Sequence, residues 1–219
     1  MTRCLVFAGS RGIGKSITTN LKKISKKVFF LNSQECDTSN LDNIDNILNN
    51  YNNLDVVVFN TGGPPAKNFF DITKNEWIKY FNQLFLFFAT LLQKIKLNKN
   101  SYVFLISSFN VKEPNDELIL SNCYRVALVS LFKSLSRVYL KKNITFINIA
   151  PGPTNTGRLV DLLKAKGKTI KGLKKELGVP NITEPDEIGK FVKFIVENKI
   201  KSINGTTINF DMGLSKYIF

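Results

Sequence analysis

The sequence predicts an α/β protein built on a doubly wound parallel sheet of about seven strands. Three observations predict it. Short apolar runs, each strand-length, alternate along the whole chain with stretches whose apolar residues fall at helical spacing. Several runs end in chain-breaking residues, as in Thr61-Gly62-Gly63-Pro64-Pro65 and Pro151-Gly152-Pro153. The first run leads at once into the glycines Gly9, Gly12 and Gly14 and then a helix former. With no internal repeat and no linker, residues 1–219 read as a single domain, long enough to bury a full core.

In order, Cys4 to Ala8 reads as a buried strand and Lys15 to Ile24 as a helix. Lys27 to Leu31 is the second strand. Leu41 to Asn50 carries Leu41, Ile44, Ile47 and Leu48 at helical spacing. Leu54 to Asn60 is a buried strand, and Trp77 to Lys96 a long helix whose apolar faces are broad enough for the core and a partner subunit together. Tyr102 to Ser108 (strand), Ser121 to Leu140 (helix) and Ile144 to Ala150 (strand) follow. Residues 154–179 have weak periodicity with many Lys and Gly, the pattern of a mobile lid over a site. Pro185 to Asn198 is a last helix, capped by Thr183 or started by Pro185, and Thr206 to Phe210 a last strand.

Composition narrows the chemistry. The chain has no histidine, which excludes Ser-His-Asp catalysis and any His-ligated metal. Cys4, Cys36 and Cys123 stand at unrelated spacings, as reduced thiols of a cytoplasmic protein do, and no metal site is expected. With the first strand so close to Met1 no targeting segment is expected, and the apolar run Leu84 to Leu92 falls short of the ~20 residues of a membrane span. The net charge of +14, with lysines at 164, 166, 168, 171, 174 and 175, reads as a solvated basic face or as attraction to an acidic ligand. Nucleic acid is not expected as a partner, because no aromatic-interleaved basic stripe appears.

The glycine turn fits two motifs. Strand, glycines and helix N-terminus together make a phosphate site, so a nucleotide is the expected ligand. Gly9 to Ser16 reads G-x-x-x-x-G-K-S, an NTPase phosphate loop. That chemistry needs an acid at the C-terminal end of another strand to hold Mg²⁺. Leu54 to Asn60 ends in Asn60, Tyr102 to Ser108 in serines, and Asp211 lies at the last strand, poorly placed. The NTPase reading is therefore disfavoured.

Read as Phe7-Ala8-Gly9-Ser10-Arg11-Gly12-Ile13-Gly14, the same turn resembles the T-G-x-x-x-G-x-G element of short-chain dehydrogenases, with Phe7 for threonine and Ala8 for the first glycine. Each later strand end adds a match. Asp37-Thr38 resembles the pair beside adenine, Asn60-Thr61-Gly62 the end of N-N-A-G, and Ser108 the catalytic serine. Asn148 through Pro151-Gly152-Pro153-Thr154-Asn155-Thr156 resembles the N-x-x-x-P-G-x-x-x-T turn under the nicotinamide. Pro185-Asp186-Glu187-Ile188 and Gly205 to Gly213 resemble the C-terminal signatures. The chain is thus similar throughout to short-chain dehydrogenase/reductase members of the 3-oxoacyl-carrier-protein reductase kind. The resemblance implies a Rossmann-like fold and an oxidoreductase acting on a small carbonyl or carrier-bound acyl substrate. It implies a homodimer or homotetramer, and a dinucleotide contacting Gly9 to Gly14, Asn32, Ser33, Asp37, Thr38, Asn60, Thr61, Gly62, Arg125, Pro151, Gly152, Thr154 and Thr156.

Three departures accompany it. Too few residues separate Leu31 from Asp37 for the helix that usually intervenes. The family's catalytic asparagine position falls on Leu84, with Asn82 nearby on another side. The Tyr-x-x-x-Lys pair is replaced by Ser121 and Arg125. Arg125 keeps the positive charge, with fork geometry in place of a point charge, but an aliphatic hydroxyl cannot replace a phenol of pKa ~10. Either Ser108, Ser121 and Arg125 polarise a carbonyl while water or Tyr124 supplies the proton, or the protein binds a dinucleotide without turnover. The Gly62-Gly63-Pro64 and Ser121-Asn122-x-x-Arg125 pairing resembles a minority branch of such reductases and favours an enzyme. Asn32 and Ser33 stand where NAD-preferring members carry an acid, and Arg11 where NADP-preferring relatives place a base, so NADP is the expected cofactor.

Overall fold

Six parallel strands, β1 (Arg3–Phe7), β2 (Lys27–Leu31), β3 (Leu54–Phe59), β4 (Leu97–Ile106), β5 (Thr145–Pro151) and β6 (Thr206–Phe210), form a sheet in the order β2-β1-β3-β4-β5-β6. This computed structural model describes residues 2–217. Between the strands lie α1 (Gly12–Leu21), α2 (Asn43–Asn50), α3 (Lys74–Phe81), α4 (Phe87–Lys94), α5 (Ile119–Val138), α6 (Gly157–Ala165), α7 (Ile170–Leu177) and α8 (Pro185–Glu197). The order reverses at β1 and β3, so a crevice opens beyond their C-terminal ends, where open sheets of this kind hold ligands.

The strands alternate large residues between two buried layers, the period-two pattern of a sheet covered on both faces. Leu5, Phe7, Val57, Phe59, Val103, Leu105 and Phe146 meet Phe87, Phe88, Leu91, Leu128 and Phe132 of α4 and α5. Cys4, Val6, Val56, Val58, Phe104, Ile147 and Ile149 meet Ile17 and Leu21 of α1 and Ile188, Val192 and Ile195 of α8. Phe7, at the threonine position of the resemblance, packs edge-on to Phe59 and Phe88 with centroids 5.5 and 5.6 Å away. The threonine is thus exchanged for core packing.

The expected count of about seven strands becomes six, and after β2 the chain makes turns at residues 33–35 and 38–39. The Asn32 side chain accepts from the Gln34 and Glu35 amides at 2.8 and 3.0 Å, and Asp37 Oδ1 from the Ser39 amide at 2.9 Å. Such local bonds compete with a sheet ladder. They leave β2 as the edge strand. The first helix starts at Gly12, not Lys15, because the glycines themselves form its first turn. The helix expected over Trp77 to Lys96 runs from Lys74 through α4, widened by a π-helical turn at Asn82–Leu86.

Residues 154–179, expected as a mobile lid, hold α6 and α7. Thr156 accepts from the Leu159 amide at 3.4 Å and Thr169 from the Gly172 amide at 3.1 Å, and Gly178 ends α7 at φ +68°. Within each short helix the apolar residues do recur at helical spacing, Leu159 with Leu162 and Leu163, and Ile170 with Leu173 and Leu177, and the caps mark the ends. Pro185 opens α8, whereas Thr183 Oγ1 donates to Phe210 O at 3.0 Å, tying the approach to β6.

Candidate active site

The β1–α1 turn is shaped by close approach. A Cβ on Gly14 would stand 2.8 Å from the Ala8 carbonyl carbon and 2.8 Å from Asn60 Nδ2, so only glycine lets α1 sit against β1 and β3. Gly12 has φ +52° and faces Thr156 Cγ2, which brings the turn up to the start of α6. The Gly9 amide donates to Leu31 O at 3.0 Å, and Arg11, exposed, occupies the cap position of α1. No acidic residue lies in the first turn and no side chain caps it. Those free amides and the helix dipole fit a diphosphate. Ala8, at the first glycine position, is held at φ +48°, a conformation that strains a residue with a Cβ.

The NTPase reading finds no support here. Lys15 is exposed, and Ser16 packs against Gly189 of α8, where an added Cβ would lie 2.8 Å from the Ser16 carbonyl carbon. Among the described residues no group of acidic, Cys or His side chains could hold a metal.

Around the rest of the crevice the expected positions fall into three groups. Thr38, buried, and Thr61 have hydroxyls 3.3 Å apart, joining the turn after β2 to the end of β3. Asp37 is exposed. Glu35, given no part at the cofactor by the resemblance, folds back so that Oε2 accepts from the Asn32 amide at 2.8 Å. A carboxylate therefore does stand at the end of β2, although positions 32 and 33 hold none. Pro151 ends β5, Gly152 donates to Phe210 O at 2.8 Å, and Thr154 Oγ1 donates to Gly152 O at 2.9 Å.

The third group is knitted by Arg125. Its Nε donates to Ser121 Oγ at 3.0 Å, Nη1 to Ile106 O at 3.2 Å and Nη2 to Thr61 O at 3.2 Å. One guanidinium thus links α5 to the ends of β3 and β4. A lysine, with one nitrogen, could not span those three acceptors. Ser108 lies just past the end of β4, and its Oγ accepts from the Asn110 amide at 3.3 Å. Desolvation, with the neighbouring Arg158 charge adding to it, lowers the Arg125 pKa to about 10, so it stays charged at neutral pH.

Tyr124 is not available as the proton source. Its hydroxyl donates to Trp77 O at 3.1 Å and its ring packs on Trp77 and Phe81, away from Arg125's bonds. Burial raises its pKa, which further opposes that role. Leu84, at the asparagine position, is buried inside the π-helical turn, and the adjacent Gln83 turns to the crevice instead, donating Nε2 to Gly62 O at 2.8 Å. π-turns recur at functional sites because the extra residue re-aims a side chain.

One residue the sequence reading missed is Arg158, near the start of α6. Its Nη2 donates to Gly63 O at 2.9 Å and Pro64 O at 3.1 Å. Desolvation lowers its pKa; the Tyr80 phenol opposes the shift and the Arg11 charge adds to it. A signal was available: the chain has 31 basic residues, only Arg3, Arg11, Arg125, Arg137 and Arg158 among them arginine. Three of those arginines meet at this crevice.

A parallel doubly wound sheet with a glycine turn at its switch point is the architecture of dinucleotide-binding folds. The chain matches the family described as enoyl-(acyl carrier protein) reductase over residues 14–215, and it belongs to the short-chain dehydrogenase/reductase family. It is 22% identical to the uncharacterized oxidoreductase YvaG of Bacillus subtilis, covering 98% of this chain and 96% of that one. A short-chain dehydrogenase family protein of Francisella tularensis superposes with a TM-score of 0.85 at 22% identity, covering 99% of this chain and all of the other. A Burkholderia cenocepacia short-chain dehydrogenase solved with NADP superposes at 0.79, 20% identical over 97% of each chain. YwfH, an NADPH-dependent reductase involved in bacilysin biosynthesis, superposes at 0.84, 20% identical over the full length of both.

Proposed function

We propose that this protein transfers hydride between NADP(H) and a carbonyl or alcohol substrate, using a site in which Ser121 and Arg125 stand in place of the family's tyrosine and lysine. The observation that carries the reading is the Arg125 fork, whose three bonds fasten Ser121 to the ends of β3 and β4 at the mouth of the crevice.

The chain's own groups fit a dinucleotide. The glycine cradle and the open α1 N-terminus suit its diphosphate, and Thr38, Thr61 and Asn60 line the way between adenine and nicotinamide ends. When bound, the nicotinamide would supply or accept the hydride. Arg125 places positive charge where negative charge develops on the substrate oxygen. Ser121 Oγ accepts from Arg125 Nε, so its own proton is free to donate toward that oxygen. Ser108 is the second hydroxyl for the same atom. With Tyr124 committed to Trp77 O, the proton reaches the substrate from water. Pro151, Gly152, Thr154 and Thr156 form the floor beneath the nicotinamide, and residues 154–179 act as the lid.

Arg11 at the cap of α1 is the base for a 2′-phosphate, and the NADP complex of the Burkholderia protein and the NADPH dependence of YwfH support that choice. Glu35 at the end of β2 weighs the other way. Assembly as a homodimer or homotetramer is supported by Ile78, Phe81 and Val126, apolar yet 51, 36 and 45% exposed on α3 and α5. A cytoplasmic setting is supported by the free cysteines and by the lack, among the described residues, of any helix long and apolar enough to cross a membrane. The deciding experiment is fluorescence titration with NADPH and NADH, followed by NADPH oxidation against a carbonyl panel. Absence of NADPH binding at millimolar concentration refutes the reading.

A further inference from the structure

Arg125 and Arg158 converge on one point with no acid beside them. A methyl group placed on Gly63 would lie 3.3 Å from Arg125 Nη2, 3.3 Å from Arg158 Nη2 and 3.7 Å from Ser121 Oγ. The two guanidinium ends are therefore no more than twice 3.3 Å apart, a gap that one small anion can bridge. None of the ion pairs among the described residues involves an arginine. Two like charges held this close, partly desolvated and bonded only to neutral acceptors, carry a cost that an anion would relieve.

The donors left over define the anion. Arg158 commits only Nη2 to Gly63 O and Pro64 O, so among the described residues its Nη1 and Nε have no protein partner. Nη1 lies over Gly62, 3.4 Å from where a Cβ would be. Nε and Nη1 lie on either side of Cδ and share no edge, so Arg158 offers one carboxylate oxygen its Nη1, and Arg125 Nη2, with one hydrogen on Thr61 O, has its other for the second oxygen. That arginine stands here, in a chain whose basic residues are overwhelmingly lysine, points the same way.

We propose that the substrate is a short oxo acid whose carboxylate is held between Arg158 and Arg125 over Gly62 and Gly63, one or two carbons from the carbonyl at Ser121. This inference rests on the oxidoreductase reading and sharpens it. A carrier-bound thioester has no charge so near its carbonyl and is not the substrate. The anion has one competing source, the cofactor diphosphate, since Arg11 lies near enough to Arg158 to affect its pKa.

The test measures binding without turnover. The protein is titrated calorimetrically with NADP⁺, and then the complex with 2-oxobutanoate, 3-oxobutanoate and the methyl ester of each. At least one acid should bind tenfold or more tightly than its ester, and Arg158→Gln should weaken that acid at least tenfold, exceeding any loss of NADP⁺ affinity fivefold. Arg158→Lys should recover only part of it, and melting curves of both variants report whether the fold is intact. Equal binding of acids and esters to the NADP⁺ complex overturns the proposal and leaves the oxidoreductase reading standing. A loss in Arg158→Gln that falls on NADP⁺ instead assigns the fork to the diphosphate and also overturns it. If neither NADP⁺ nor NADPH binds, the oxidoreductase reading fails, and the acid-against-ester comparison on the free protein still decides whether the carboxylate site exists.

Discussion

Restoring the family's tyrosine should damage this protein. Ser121 is 7% exposed, its Oγ receives the Arg125 Nε bond at 3.0 Å, and it lies 3.7 Å from the space over Gly63 that both arginines border. Ser121→Tyr combined with Arg125→Lys should raise ketone reduction only if the pocket has room for the ring; the space over Gly63 is bordered by two guanidinium ends, each 3.3 Å from a Cβ position there, which suits a small anion and not a phenol ring. A tyrosine must push them aside, an overpacking cost of about 1–3 kcal/mol. Its hydroxyl sits too far out to accept from Nε, which forfeits a bond to a charged donor worth about 1.5–3 kcal/mol. A total of about 3 kcal/mol or more corresponds to a fall in Tm on the order of 10 °C for a chain of this size. The assay is calorimetric melting of the wild type, Ser121→Ala and Ser121→Tyr, with NADPH oxidation by a neutral ketone run in parallel. Ser121→Ala should melt between the other two. A Ser121→Tyr protein that melts within about 2 °C of wild type and reduces the ketone faster would show that the cleft at Gly63 takes a ring without displacing the arginines.

Other outcomes follow from single positions. Ala8→Gly removes left-handed strain at φ +48° and should stabilise the fold by about 1 kcal/mol in urea unfolding, with NADPH affinity kept; a destabilised variant would mean that the methyl packs usefully. Arg11→Ala should weaken NADPH by about 1.5–3 kcal/mol relative to NADH, and Glu35→Gln should widen the preference for NADPH, both read by fluorescence titration. Lys67 and the Thr73 amide hold the Glu76 carboxylate down to about 2, so its stabilisation is present above the ordinary value of 4.5 and is lost as pH falls from there toward 2. Glu76→Gln should lower stability at neutral pH, where that contribution is present, and flatten the acid limb over that interval, so that variant and wild type converge near pH 2.

The order of strands and helices was legible because each strand holds an apolar run, although the polar first half of β4, Asn98 to Ser101, gave no such signal. The glycine turn was legible because its spacing has few other uses. What stayed hidden depends on the third dimension. Glu35 reads as a loop acid until Asn32 bends the chain and returns the carboxylate to the end of β2. Tyr124 reads as a phenol within a turn of Arg125, yet it lies on the face that packs against Trp77. Arg158 could not be assigned from spacing, since its partner carbonyls at Gly63 and Pro64 lie far away in sequence. The caps at Thr156 and Thr169 could have been read, and would have turned an expected loop into two helices.

The pH behaviour separates this site from a phenol-and-lysine one. General acid catalysis by a side chain contributes about 10²–10⁴-fold, and its pH profile reports the pKa of that group. Here no histidine exists, Tyr124 is engaged elsewhere, and the charge that replaces them titrates only at about 10. Arg125 is protonated below that value and neutral above it. The profile of kcat/KM for reduction should therefore be level across neutral pH and fall as pH rises through about 10. Stability must move the opposite way on account of this group. Its folded pKa lies below its ordinary value, so above about 10 the unfolded chain binds more protons and this contribution to stability rises with pH. Activity lost in an alkaline range where Arg125 itself favours the fold is loss of charge at the site and not unfolding. A limb in kcat/KM between about pH 6 and 8 would instead expose a side-chain acid or base that the site geometry does not contain, and would return the proton to the protein.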